Sequence, residues 1–127
     1  MTLPVSATVE AAPNFLANLE TAQEFFVVQG ADSAAARSRK LRAELREMVS
    51  ILGWSPGSGR PARFLSSKSA QARLRVDVIL KLAEEAKLPF LREHILGQHV
   101  VLYAHSDTEV VLLALKHQRE LSYGVAA

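Results

Sequence analysis

The sequence predicts an α+β domain: a helix hairpin packed on one face of a small antiparallel sheet, with an extra helix inserted before the sheet. Two stretches with apolar residues at helical spacing are separated only by the region around Gly30, which predicts the hairpin. The C-terminal third holds short runs rich in Val and Leu, bounded by turn residues and too short for typical helices, which predict strands. A third helical stretch lies between them. Residues 1–127 read as one domain, a length that supports a real hydrophobic core.

Taken in order, Leu3 to Ala11 alternates loosely, with Val5, Ala7 and Val9 set against Ser6, Thr8 and Glu10. That is a strand period, and Pro4 places the strand at an edge or at its start. Pro13-Asn14 opens the first helix, with Asn14 as the expected N-cap. Phe15, Leu16, Leu19, Gln23, Phe26 and Val27 share one face of it. Gly30 stops the helix, and Asp32 or Ser33 is expected to cap the next. The second helix runs to about Leu52 with Leu41, Leu45, Met48, Val49 and Leu52 as its stripe. Arg37, Arg39, Lys40, Arg42 and Arg46 fall mostly off that stripe. So short a connection implies an antiparallel pair, whose two stripes need an apolar sheet face to cover.

Gly53 to Arg60 is a loop by composition, and it lacks the pattern of a phosphate-binding loop. Trp54, where the second helix ends, is expected as a core anchor. Arg63-Phe64-Leu65 is expected as a short strand. Ser69 to Lys87 reads as a third helix. Leu74, Val78 and Leu82 should face inward, with Arg73, Lys81 and Glu85 solvated. Such a helix is expected to shield a sheet edge. Leu88-Pro89 ends it.

Phe90 to Leu96 then reads as a strand, and Gly97-Gln98 fits a two-residue hairpin turn. That turn pairs Leu96 with His99, His94 with Val101, and Arg92 with Tyr103, and paired side chains share a face. Leu91, Ile95, Val100, Leu102 and Ala104 then form one face, with Glu93 as a misfit, and this is the expected core face. Arg92, His94, His99, Tyr103 and His105 form the other, expected as an open cationic and aromatic face. Val110 to Leu115 is apolar on both sides, as a central strand would be. Its register against Tyr103 is left open by the loop length.

Hydrophobic residues make up 49% of the chain, too many for disorder, and no apolar run approaches a membrane span. The start lacks a basic and apolar leader, and there are no cysteines, so disulfides and thiolate metal sites are excluded and a cytoplasmic protein is expected. Charge is unevenly spread. Residues 1–36 hold Glu10, Glu20, Glu24 and Asp32 and no Lys or Arg, whereas the remainder carries all 15 basic residues. The basic part suggests an anionic partner, nucleic acid or an acidic protein segment, although an ordinary solvated surface explains the charge equally well. His94 and His99 can approach each other across the turn, but no carboxylate joins them on that face, so no metal site is expected.

Asn14-Phe15-Leu16 opening the first helix, Gly59-Arg60-Pro61, Leu91-Arg92-Glu93, Val100-Val101-Leu102-Tyr103, and the ending Val111-Leu112-Leu113-Ala114-Leu115-Lys116-His117-Gln118-Arg119 occur in an order that spans most of the chain. In this order the sequence resembles the RelE/ParE superfamily of toxins from bacterial type II toxin–antitoxin systems. The helix at about residues 69–87 departs from the usual pattern, in which the chain passes directly from the Gly-Arg-Pro loop into the sheet.

The resemblance implies a toxin that arrests growth unless a cognate antitoxin protein covers it. It implies one of two targets, DNA gyrase inhibited without a conventional active site, or messenger RNA cleaved on the ribosome. No cofactor is expected; a homodimer or a hetero-oligomer with the antitoxin is compatible with it. An RNA-cleaving member must stabilise charge on the phosphate and move protons, work suited to Arg, Lys, His, Glu or Tyr. His117 and Tyr123 are then the candidates for proton transfer. Arg63, Arg92, His94, Tyr103 and Arg119 are candidates for binding phosphate or a target. Each also has an ordinary structural reading, His94 as a surface residue and Tyr103 as a packed strand aromatic. The His-Gln-Arg ending and the modest net charge of +2 favour the gyrase reading, whereas Tyr123 in the tail resembles the endings of RNA-cleaving members, with RNA cleavage as the alternative. A toxin fold that has lost activity and serves only as a binding module is a third possibility.

Overall fold

A computed structural model describes residues 6–62 and 70–120, with residues 70–76 and 79 described by backbone alone. The chain runs β1 (Thr8–Ala11), α1 (Pro13–Gln29), α2 (Ala31–Trp54), a 3-10 turn (Pro56–Ser58), β2 (Arg60–Pro61), α3 (Ala70–Ala86), β3 (Phe90–Leu96), β4 (His99–His105) and β5 (Glu109–His117). The class is α+β, as the periodicities imply. The expected strand at Arg63-Phe64-Leu65 and the positions of Leu74's and Arg73's side chains lie outside the described residues.

The helix hairpin forms as the sequence spacing predicts, but its caps differ. Gly30 is both the C-cap of α1 and the N-cap of α2, and neither Asp32 nor Ser33 provides a side-chain cap to the α2 N-terminus. The Ser33 hydroxyl instead donates to Gly30 O at 3.2 Å. Asn14 is not the N-cap either. Ala12 holds that position and Asn14 is already inside the helix, buried. Pro13 at the first helical position explains the shift, because its fixed φ starts the helix two residues earlier.

The five strands form one sheet in the order β1-β5-β4-β3-β2. β1 runs parallel to β5, so the sheet is mixed rather than purely antiparallel. Edge strands choose partners by tertiary closure, which no local pattern encodes. The β3–β4 register is the one read from the Gly97-Gln98 turn: Leu96 opposite His99, His94 opposite Val101, Arg92 opposite Tyr103. Gly97 takes φ +54°, a conformation that favours glycine.

Between β4 and β5 the register slips by one residue. Leu102 faces Ala114, yet Tyr103 faces Leu112, which leaves Leu113 as the extra residue of a bulge. The slip inverts the alternation of β5. Before it, Val110 and Leu112 point to the hairpin; after it, Leu115 does, while Leu113 and Ala114 both join the opposite core. Two α1 amides occupy backbone groups at the bulge: Asn14 Nδ2 donates to Leu113 O at 3.1 Å, and Leu115 N donates to Asn18 Oδ1 at 3.0 Å.

Both faces of the sheet are covered, and the coverage reverses the expected sides. Phe15, Phe26, Leu41, Leu45, Met48 and Leu52 of the hairpin pack with Val101, Tyr103, Leu112 and Leu115. Val100, Leu102, Ala104 and Ala114 lie instead in a second core, against Leu82, Ala83 and Ala86 of α3. Leu45 and Leu102 are therefore on opposite sides of the sheet. The face carrying Arg92, His99, Tyr103 and His105 is not open: His99, Tyr103 and His105 are buried on it, and the polar atoms of Arg92, Tyr103 and His105 find hydrogen-bond partners there. The reversal follows from β4 being buried at every position. A strand apolar on both sides does not say which helix takes which face.

α3 thus covers a face rather than an edge. Leu82 packs inward and Lys81 and Glu85 are exposed as expected, but Val78 is exposed. Leu16, Val27 and Val49, expected within the hairpin stripes, are also exposed. Trp54 is 67% exposed and is not a core anchor. No helix among the described residues is long and apolar enough to cross a membrane.

Candidate functional site

The candidate residues fall into two groups at opposite ends of the sheet's hairpin face. The first centres on Tyr103, which is 0% exposed. Its hydroxyl donates to Pro56 O at 2.7 Å and accepts from Gly59 N at 2.9 Å, which pins the loop after α2 onto the sheet. A Cβ at Gly59 would come within 2.5 Å of that hydroxyl and 2.6 Å of Glu93 O, so this glycine is required by close approach. Burial pushes the Tyr103 phenol up, and the Gly59 hydrogen bond, the Arg92 charge and the Ser58 hydrogen bond only partly oppose this. A buried phenol with both hydrogen-bonding roles used is a structural group.

Arg92 stands beside it on β3. Its Nε donates to His105 Nε2 at 3.0 Å and its Nη1 to Gly59 O at 3.2 Å. Because the guanidinium is a pure donor, His105 Nε2 must be an acceptor. His105 Nδ1, 2.9 Å from Ser106 O, must then carry the hydrogen and donate to that carbonyl. These two contacts define the tautomer. Phe90 stacks on His105 with ring centroids 5.0 Å apart. On the opposite sheet face, Glu93 lies buried, 3.5 Å from Arg60 Nε. Arg60 is its cross-strand neighbour. That ion pair accounts for a buried carboxylate among the apolar side chains of this face.

The second group lies where the chain leaves β5. His117 faces His99 across the strands, rings edge to face at 5.4 Å, and Phe26 of α1 closes on His99 at 6.1 Å. After His117 the chain folds back over the β3–β4 turn: Gln118 N donates to Gln98 O at 2.8 Å, and the Gln118 amide donates to Gly97 O at 2.8 Å. Arg119 N donates to His117 Nδ1 at 3.1 Å, which leaves Nε2 to face Gln98 Oε1 at 3.4 Å. Glu120 Oε1 accepts from His117 N. Burial lowers the pKa of His99, His117 adds to that, and Glu120 works against it. His94, half-buried between the two groups, is lowered by burial alone.

Of the residues singled out in the sequence, Arg92 and Tyr103 come together in the first group, and His117 and Arg119 in the second. Arg63 and Tyr123 lie outside the described residues. Arg92 sits at the level of Tyr103 and His117 at the level of His99. Four residues along β4 correspond to about 13 Å, so the two groups do not converge on one reacting atom. The sequence reading missed His105 as the partner of Arg92, although the turn register already placed both on one face. It also missed Gln98, Gln118 and Glu120, whose contacts depend on the fold-back after β5. Among the described residues no set of three His, Asp or Glu side chains is arranged to hold a metal. Compared with known proteins, the chain matches no family model and no curated protein.

Proposed function

We propose that the chain is a growth-arresting toxin of the RelE/ParE kind, the toxin half of a toxin–antitoxin pair, and that it acts by binding a protein target, DNA gyrase, rather than by cutting RNA. The family reading rests on the ordered motifs from Asn14-Phe15-Leu16 to His117-Gln118-Arg119. One observation favours the protein target: Arg92, the candidate cation on a strand, stands at the opposite end of the sheet's hairpin face from His117, while Arg119, the cation next to His117, lies in the exposed turn after β5. RNA cleavage needs a cation and a proton-transfer group within reach of one phosphate. Arg92, the strand cation, is also engaged by His105 and Gly59 O. Arg119, by contrast, is exposed beside the fold-back and available to an acidic surface.

The deciding experiment is induction of the chain in a bacterial host, followed by two purified assays, supercoiling by gyrase and message cleavage on programmed ribosomes. Growth arrest with inhibited supercoiling and intact message is expected. Cleaved message with unaffected supercoiling would transfer the reading to the RNA-cleaving branch. No arrest from soluble, folded protein would leave a toxin fold that serves only as a binding module.

A further inference from the structure

The solvent surface of the helix hairpin carries charge of opposite sign on its two helices, and that charge is not neutralised by ion pairs among the described residues. On α1, Glu20 and Glu24 are exposed one helical turn apart, and the helix contains no Lys or Arg. On α2, Arg39, Arg42 and Arg46 are exposed at spacing i, i+3, i+7, with Lys40 alongside. Between Asp32 and Glu47 the one acid on α2 is Glu44, whose carboxylate lies against Gly97 of the β3–β4 turn. Among the described residues none of Glu20, Glu24, Arg39, Lys40, Arg42 and Arg46 forms an ion pair.

These two stripes complement each other, but not within one hairpin, where they lie side by side and both point away from the sheet. They meet if a second hairpin is laid face to face by a two-fold axis parallel to the helices. Such an axis places α1 of one copy over α2 of the other, twice, and every facing pair is antiparallel. The one-residue link at Gly30 sets the levels: Glu20 is as far from it as Lys40, and Glu24 as far as Ala36. Glu20 and Glu24 therefore come within reach of the partner's Arg39 and the partner's Lys40, and the reverse contact follows by symmetry. Exposed Leu16 and Val27, on the same face of α1 as the two glutamates, add apolar area.

We propose that this face of the helix hairpin is a self-complementary docking surface for a second copy of the chain, forming a two-fold dimer. A second copy fits better than the other polyanions that α2 would attract. A nucleic acid or a uniformly acidic segment laid across the hairpin matches α2 but meets Glu20 and Glu24 with like charge. The two-fold copy satisfies both helices at once, as isologous interfaces do. Exposed ion pairs are individually weak and screened by salt, so the dimer is salt-sensitive.

The test is sedimentation of the full chain over a range of concentration and salt, with two charge-reversed variants. A dimer at low salt that reverts to monomer toward about 1 M salt, where the screening length is near 3 Å, is expected. Glu20→Lys with Glu24→Lys, and separately Arg39→Glu with Lys40→Glu, should each weaken self-association at least about tenfold. Circular dichroism should show both variants folded, because all four positions are exposed. An equimolar mixture of the two variants should regain a dimer, since the reversed α1 of one then faces the reversed α2 of the other. Three results would each overturn the proposal: a monomer at every concentration in low salt, a dimer that neither reversal weakens, or reversed variants that fail to pair when mixed. Binding of duplex DNA or of a polyglutamate peptide to α2 that outcompetes self-association would assign the surface to that partner instead.

Discussion

His117 faces His99 across β4 and β5 because of one extra residue, Leu113, inserted two turns of the pleat earlier. In a regular strand, positions 110, 112, 114 and 116 would share the hairpin face and His117 would point into the α3 core. The bulge exchanges the two sets, so His117 closes on His99, whose ring also meets Phe26, while Lys116 takes the other side. The slip is held from outside the sheet by α1, through Asn14 on Leu113 O and Asn18 on Leu115 N. An element more than 90 residues earlier in the chain thus sets which way the ending of β5 presents its imidazole.

Asn14→Ala should destabilise the protein by about 1–3 kcal/mol, because it leaves a buried carbonyl at the bulge without its donor. The effect is expected as a lower urea midpoint at unchanged slope. Asn14→Asp should be at least as damaging, because a carboxylate offers an acceptor where Leu113 O needs a donor. Unchanged stability in both variants would show that the bulge does not depend on α1.

Tyr103→Phe should cost about 1–3 kcal/mol by leaving Pro56 O and Gly59 N without their shared partner. Its local signature is faster hydrogen exchange at Gly59, with β4 remaining protected. Gly59→Ala should do similar or greater harm, since its Cβ would meet the phenol oxygen and the Glu93 carbonyl.

His94 and His99 both have pKa values lowered from the usual 6.5 by burial. The unfolded chain therefore takes up these protons at higher pH than the folded chain does. Stability from this source is fully present above about 6.5 and is lost as pH falls through the lowered folded values. Denaturation followed from pH 7.5 down to 4.5 should show that loss, and His99→Phe should flatten it. A profile of the same slope in wild type and variant would show that His99 does not carry the linkage.

The functional residues separate the two targets. Charge reversal at Arg119 should abolish inhibition of gyrase, because it removes an exposed cation that a carboxylate would pair with. Tyr123→Phe should matter little under that reading, about 1 kcal/mol at most for one lost hydrogen bond. Under RNA cleavage, His117→Ala or Tyr123→Phe should instead remove roughly 10²–10⁴-fold in rate. Growth arrest, supercoiling and message cleavage measured together distinguish these outcomes. Folded variants at Arg92, His117, Arg119 and Tyr123 that all retained full toxicity would refute the site assignment for both targets.

Local patterns determined a good part of this protein. Helical spacing around Phe15, Leu41 and Leu52 and the stop at Gly30 defined the hairpin, and Gly97-Gln98 alone set the β3–β4 register, because a two-residue turn admits one pairing. The chemistry brought to the hairpin face, Arg92 with Tyr103 and His105, followed from that register. Tertiary structure decided which helix covers which face, since β4 is buried along its whole length and its pattern is symmetric between the two sides. It also decided that Asn14 would clamp a bulge rather than cap a helix, that Trp54 would remain in solvent, and that His117 would meet His99. Each of these depends on contacts between residues far apart in sequence. A period of two or of 3.6 specifies what one element buries, but not what another element places against it.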